Sequence, residues 1–293
     1  LLIMNSEGQS KHADIFNTES DNIAQVYSGD NEAGNVALCV EEKHKYASAT
    51  NSDTETEHDE TLRPRSNLPR NNKEYNSKEY WEDRFRHEKE FEWLVSYRDI
   101  ATQLKKLINR SQRILLVGCG NSSFSADIYD DGFINITSID YSENVIDSMR
   151  KRHEKSRPEM KWIVMDMTIL SFQAEEFDVV IDKAAMDAIM TKENDVWNPS
   201  QEVVDSAWSM CSHISRVLKR NGQHIQISFA QPHFRNKYLL GQHVPTQNIS
   251  AGKSTTNQPV ICAFHWDCRH ETVEGTNSSG CFQNFMYIMQ KVL

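Results

Sequence analysis

Arg113-Ile-Leu-Leu-Val-Gly-Cys-Gly-Asn-Ser122 is the stretch on which the fold turns. Four consecutive apolar residues running straight into two glycines read as a short strand buried on both faces and delivered into a tight turn. Ser122 to Tyr129 then reads as a helix, with Asn121 or Ser122 as its cap. Outward from this unit the same pattern recurs. Residues 136–139 form a second strand ending at Asp140, and Ser142 opens a helix with Val145, Ile146 and Met149 on one face. Residues 161–165 form a third strand ending at Asp166, and residues 177–181 a fourth ending at Asp182. A helix over about 201–219, stopped by Asn221-Gly222, leads to a fifth strand at 224–229. Residues 260–266 and 282–292 read as two long closing strands. Upstream, Tyr80–Phe85 and Phe91–Trp93 are aromatic-rich and helix-compatible, and 97–109 places Ile100, Leu104, Leu107 and Ile108 at helical spacing. The alternation predicts an α/β fold, a doubly wound Rossmann-like sheet of seven strands with a C-terminal antiparallel hairpin.

Residues 73–293 are the expected folded domain. Residues 1–72 carry 6 Lys+Arg against 13 Asp+Glu and no apolar period, so they read as a disordered acidic tail. That balance is the reverse of a mitochondrial transit peptide, and the apolar start Leu1–Met4 is too short for a signal peptide. No apolar run reaches 18 residues, so no membrane helix is expected. The six cysteines show no C-x-x-C pair, which fits reduced thiols and a cytoplasmic home. The whole chain carries a net charge of −10, which argues against direct nucleic-acid binding and suits a basic protein partner. The eleven histidines show no ligand spacing, so no metal site is expected; Cys262, His265, Cys268 and His270 read as structural.

In an open parallel sheet, ligands bind beyond the carboxyl ends of the strands. Four strands here end in polar or flexible residues: Gly118-Cys-Gly120, Asp140, Asp166 and Asp182-Lys183. The glycines let the backbone approach a ligand closely. A nicotinamide fingerprint would need a third glycine at position 123, where Ser123 stands. Asp140 is placed to accept from two ribose hydroxyls and Asp166 from an adenine amino group, with Met167 flanking the ring. These features point to S-adenosylmethionine, whose recognition needs no phosphate cradle. By composition Tyr80, Trp81, Phe85 and Trp93 read first as partly core, and the functional alternative is an aromatic lid over its sulfonium. Asp182-Lys183-Ala-Ala-Met-Asp187 follows the fourth strand, where acceptor and methyl donor meet, and lacks the Asn/Asp-Pro-Pro-Tyr motif of enzymes that methylate nucleic-acid amino groups and glutamine.

At this point a resemblance becomes specific. Tyr80–Phe85, Phe91–Trp93, Leu116–Ser122, Ser138–Ser142, Met165–Met167, Phe177–Lys183 and Asp187-Ala188 run in the order found in eukaryotic protein-lysine methyltransferases. These class I enzymes modify translation elongation factor 1-alpha. Ile214–Leu218 and Ala230–Arg235 resemble one branch of that family, and the match spans about 75–293. The resemblance implies cofactor contacts at Trp81, Phe85, Trp93, Gly118, Asp140, Tyr141, Asp166, Met167 and Lys183. It implies catalytic roles around Asp182, Lys183 and Asp187. It also implies a protein-lysine N-methyltransferase, working as a monomer, with elongation factor 1-alpha as partner. The family's Glu/Asp-Lys-Gly-Thr-Leu-Asp motif reads Asp182-Lys-Ala-Ala-Met-Asp187 here, with Ala184 and Ala185 in place of Gly-Thr. Phe85 stands where a Tyr is common. Read from the residues, three alternatives stay open: a methyltransferase for another acceptor, a silent binding module on the same fold, and a dehydrogenase.

Overall fold

A computed structural model describes residues 69–193, 195, 197–242, 262–275 and 283–292. The expected tail therefore lies almost wholly outside the described residues, as does most of the polar insertion at 241–258. A short 3-10 turn at Asn72–Asn76 opens the ordered chain. Helices α1 (Lys78–His87) and α2 (Tyr97–Leu107) precede strand β1 (Ile114–Val117). Then follow α3 (Phe124–Asp130), β2 (Ile136–Asp140), α4 (Glu143–His153), β3 (Lys161–Val164) and β4 (Phe177–Lys183). The chain closes with α5 (Ala185–Met190), α6 (Gln201–Val217), β5 (Leu218–Ser228), α7 (Pro232–Leu239), β6 (Trp266–Val273) and β7 (Asn284–Lys291).

The strands lie in the order β3-β2-β1-β4-β5-β7-β6. The first five are parallel, and β7 runs antiparallel to both β5 and β6. This is the doubly wound seven-stranded sheet with a closing hairpin that the sequence predicts. Its physical cause is visible in β1. Ile114 and Leu116 face Ile100, Leu104, Phe124 and Ile146 on one side. Leu115 and Val117 face Met186, Met210 and Ile214 on the other. Side chains alternate across a strand, so a strand sandwiched between two helical layers must be apolar at every position. Burying each such side chain contributes about 1.5–3 kcal/mol. From β1 the chain moves outward to β2 and β3, then returns to β4 on β1's other side. The carboxyl ends of β1 and β4 thus open a crevice.

Four local expectations are corrected. Helix α6 ends at Val217, and Leu218 is already extended. Asn221-Gly222 lies inside β5, where the pairing jumps from Phe177↔Leu218 to Val179↔Gln223. Asn221 takes φ 59, and a Cβ on Gly222 would meet the Asp178 carbonyl at 2.9 Å. The pair that reads as a helix stop lies in a bulged stretch of β5 with three residues more than the facing part of β4, and Asn221 there needs the same left-handed freedom. Of the first closing strand expected at 260–266, residues 260–261 lie outside the described residues, 262–265 form a turn, and the strand runs Trp266–Val273. Its middle is polar and exposed because β6 is an edge strand. Phe91–Trp93 is not helical, since α1 stops at His87 and the chain runs irregularly to Ser96. Finally, α5 and α7 are helices that short, weakly periodic segments did not announce.

Candidate active site

The crevice is built around the turn after β1. Gly118 and Gly120 both take left-handed backbone, φ +58 and +54. A Cβ on Gly118 would lie 2.5 Å from the Ala185 Cβ, so the turn packs directly on the start of α5. The Gly120 amide donates to Asp140 Oδ2 and the Ser142 amide to Oδ1, both at 3.0 Å. The carboxylate is 5% exposed. Burial pushes it up to about 6, against the pull of those two amides.

Trp81, Phe85, Trp93, Gly118, Asp140, Tyr141, Met167, Lys183 and Asp187 all line one cleft. Residues scattered from α1 to α5 are thus brought together as expected. Asp166 is not among them. It is exposed, lines an adjoining groove shared with Tyr141 and Met167, and accepts from the Thr168 amide and hydroxyl at 2.8 and 2.7 Å. The α3 cap is also displaced. Ser123 is the N-cap, while the Ser122 hydroxyl accepts from the Phe124 amide at 3.0 Å.

The aromatic wall is held from behind by charges that sequence reading missed. Glu82 of α1 accepts from the Glu143 amide at 2.9 Å and the Ser142 hydroxyl at 3.0 Å, seating an acid on the N-terminus of α4. Trp81 and Phe85 stack with centroids 5.4 Å apart. Arg84 lies over the Trp81, Phe91 and Trp93 rings at 5.7, 4.9 and 5.1 Å, and Glu88 holds its guanidinium at 2.7 Å. The wall is therefore preorganised around a cation of its own. Glu92 is a second missed residue. It pairs with Lys183 and accepts from the Ser122 hydroxyl at 2.8 Å, while Lys183 Nζ donates to the Trp93 carbonyl at 3.0 Å. The only sequence signal was an acid inside the aromatic run Phe91-Glu-Trp93. Burial lowers the Lys183 pKa, and Glu92 opposes that shift.

The two acids of the Asp182–Asp187 segment separate. Asp182 is fully buried and does not line the cleft. Its Oδ1 accepts from the Ala185 and Met186 amides at 2.8 and 3.3 Å, and its Oδ2 from Gln226 at 2.6 Å. Both oxygens are engaged, so direct contact with an acceptor is corrected to a positioning role: Asp182 anchors the start of α5. Asp187, 2% exposed, does line the cleft. It accepts from Ser228 Oγ at 2.7 Å and pairs with Arg235 of α7, a third residue missed as functional. Burial raises the Asp187 pKa, and the Arg235 cation pulls it back. Ala184 sits at φ 64, in the conformation that favours the glycine of the pattern it departs from.

Comparison with known proteins adds the chemistry. A family model described as a methyltransferase domain matches residues 114–222. EEF1A lysine methyltransferase 4 of Bos taurus is 32% identical over 214 residues, covering 72% of this chain and 74% of that protein. The chain belongs to this methyltransferase family. The mouse EEF1A lysine methyltransferase 4 matches at the same identity and coverage. The eEF1A lysine and N-terminal methyltransferase of Mus musculus is 40% identical over 159 residues, 54% of this chain but 22% of that longer protein. A solved SAM-dependent methyltransferase from Methanosarcina mazei aligns with a TM-score of 0.45 at 16% identity, covering 65% of this chain and 97% of that one.

As a member of the family, the chain is an S-adenosylmethionine-dependent methyltransferase. The residues present fit that donor. The turn at Gly118–Gly120 leaves the backbone bare, a buried carboxylate stands at the end of β2, and an aromatic wall closes the cleft. No cluster of metal-binding side chains exists among the described residues.

Proposed function

We propose that this enzyme transfers methyl groups to a lysine side chain of a protein, and that the acceptor is translation elongation factor 1-alpha. The relatives that match over most of their length carry that activity in their names. The observation that carries the reading structurally is the Asp187 carboxylate, buried at the cleft beside the aromatic wall and backed by Arg235. A lysine ammonium has no lone pair and an ordinary pKa of about 10.4, so it must lose a proton before it can attack.

Bound in the cleft, S-adenosylmethionine supplies an electrophilic methyl group on a sulfonium. Asp140 would hold the ribose hydroxyls as an acceptor, Gly118 and Gly120 would admit the donor close to the backbone, and Tyr141 and Met167 would hold the adenine. Asp166 would accept from the adenine amino group from the adjoining groove. Trp81, Phe85 and Trp93 would exclude water and offer ring faces to the sulfonium. Lys183, pinned by Glu92 and the Trp93 carbonyl, fixes the wall against the end of β4. Asp187 accepts a hydrogen bond from the incoming amine and aligns its lone pair with the methyl group, and the released proton passes to water. In-line positioning and desolvation supply much of the rate. The enzyme works as a monomer in the cytoplasm and touches no nucleic acid directly. The acidic chain and the free thiols at Cys119, Cys211, Cys262 and Cys268 support that setting. Among the described residues, no helix is long and apolar enough to cross a membrane.

The test is labelled S-adenosylmethionine with purified elongation factor 1-alpha, followed by mass spectrometry. Methyl-lysine on that protein supports the reading. Donor binding with no labelled protein favours the silent module, for which Ala184-Ala185 is the motivating departure.

A further inference from the structure

Trp197 is the most exposed large apolar side chain among the described residues, at 75%. It does not stand alone. Its ring stacks on His233 (centroids 6.3 Å apart, 30° between planes) and meets Phe234 edge-on at 5.1 Å and 69°. The Trp197 amide donates to Asp195 Oδ1 at 2.9 Å, a local turn that presents the indole to solvent. Phe234 already carries Lys237 of its own helix over its ring at 5.9 Å, so Trp197 is the open face of the platform.

Two chain routes tie this platform to the reacting end of the cleft. Helix α5 starts at the cleft with Ala185, Asp187 and Ala188 and ends at Met190, in the segment that leads on to Trp197. On α7, Phe234 is the neighbour of Arg235, which pairs with Asp187. One Cα–Cα step of about 3.8 Å plus an extended Arg side chain places the platform roughly 10–15 Å from Asp187. An extended peptide covers that span in about three to five residues. On the side of Trp197 away from Lys237, the chain is acidic in sequence. Between 192 and 205 stand Glu193, Asp195, Glu202 and Asp205 against Lys192 alone, and Lys192 is paired with Glu202 at 2.5 Å.

We infer that this platform is the docking surface for the acceptor protein, with Trp197 seating a basic side chain about three to five residues from the methylated lysine. The inference rests on the lysine-methyltransferase reading above. An exposed indole is the best ring for a Lys or Arg cation. Nearby carboxylates add attraction that salt screens, and exposed Trp side chains recur among residues that dominate protein interfaces.

The test is steady-state kinetics of the full chain with purified full-length elongation factor 1-alpha. In Trp197→Ala, KM for the protein acceptor rises about fivefold to tenfold, while kcat and the donor Kd stay within about twofold; Trp197→Phe recovers most of the loss. Asp195→Asn flattens the dependence of KM on ionic strength. An unchanged KM in Trp197→Ala overturns the inference, as does a donor Kd that weakens in parallel, which marks a structural role. Wild-type enzyme that methylates no lysine overturns the lysine reading, and the inference falls with it; active wild type with an unaffected Trp197→Ala overturns the inference alone.

Discussion

Arg235 on α7 and Asp187 on α5 stand 48 residues apart in sequence and form a buried ion pair, each side chain 2% exposed. Ser228 at the end of β5 supports the same oxygen of Asp187. Breaking a buried pair by removing one partner leaves an uncompensated charge, at a cost of about 3–5 kcal/mol. Arg235→Gln should therefore lower Tm by roughly 6–20 °C, using 2–4 °C per kcal/mol for a domain this size. The same change removes the cation that pulls the Asp187 pKa down against burial. The acid limb of kcat should then move to higher pH, because more of Asp187 is protonated at any given pH. Arg235→Lys keeps the cation and should shift the limb less. Melting curves and pH–rate profiles at saturating donor check both. An unmoved limb in Arg235→Gln removes Asp187 from the acceptor's path.

Asp140 sets a pH window for donor binding. Its carboxyl is pushed up to about 6 by burial. Donor affinity should be full above that value and fall as pH drops through it, since the protonated acid no longer accepts from two hydroxyls. Asp140→Asn should weaken binding about tenfold or more, because hydrogen bonds to a charged group contribute about 1.5–3 kcal/mol each. The variant should also lose the pH dependence between about 5 and 7. Calorimetric titrations across that range decide it. A variant that keeps the wild-type pH dependence assigns the titration elsewhere, with Asp182, also raised to about 6, as the next group.

Ala184→Gly should stabilise the protein. Ala184 holds φ 64, and left-handed backbone costs an L-residue about 1–2 kcal/mol. Glycine removes that cost and adds about 0.5–1 kcal/mol of unfolded-state entropy. A net gain of about 0.5–1 kcal/mol, or roughly 2 °C in Tm, is expected. A lower Tm would mean that the Ala184 methyl contributes more to the folded state than its left-handed backbone costs.

Glu92→Gln tests the clasp between the aromatic wall and the sheet. Without the carboxylate, buried Lys183 loses its anionic partner, and it and Ser122 are left to share the single amide oxygen. Amide hydrogen exchange in 88–96 should accelerate, and donor affinity should fall. The change in exchange should be confined to that segment and the Gly118–Ser122 turn. Exchange rates equal to wild type would show that the Arg84–Glu88 pair alone holds the wall.

The sheet was legible from the chain because its rules are local. Four apolar residues before Gly118, a capping Ser142 after Asp140 and repeated strand–helix periods act over a few residues, and the parallel topology follows from their order. The turn glycines, Asp140 and the aromatic run could likewise be read, since strand ends in such sheets converge on one crevice. What the sequence could not show was which charges meet. Glu92 with Lys183 and Arg235 with Asp187 pair across 91 and 48 residues, and no periodicity encodes such contacts. The same limit explains Asn221-Gly222, whose left-handed preference suits a helix stop and a bulge equally, until pairing with β4 selects the bulge. It explains Asp182 and Asp187 too. Both are acids after one strand, yet the helical turn between them buries the first as a cap and leaves the second at the cleft. Local chemistry set the elements, and tertiary packing decided which of their polar groups would be satisfied inside and which would face the substrate.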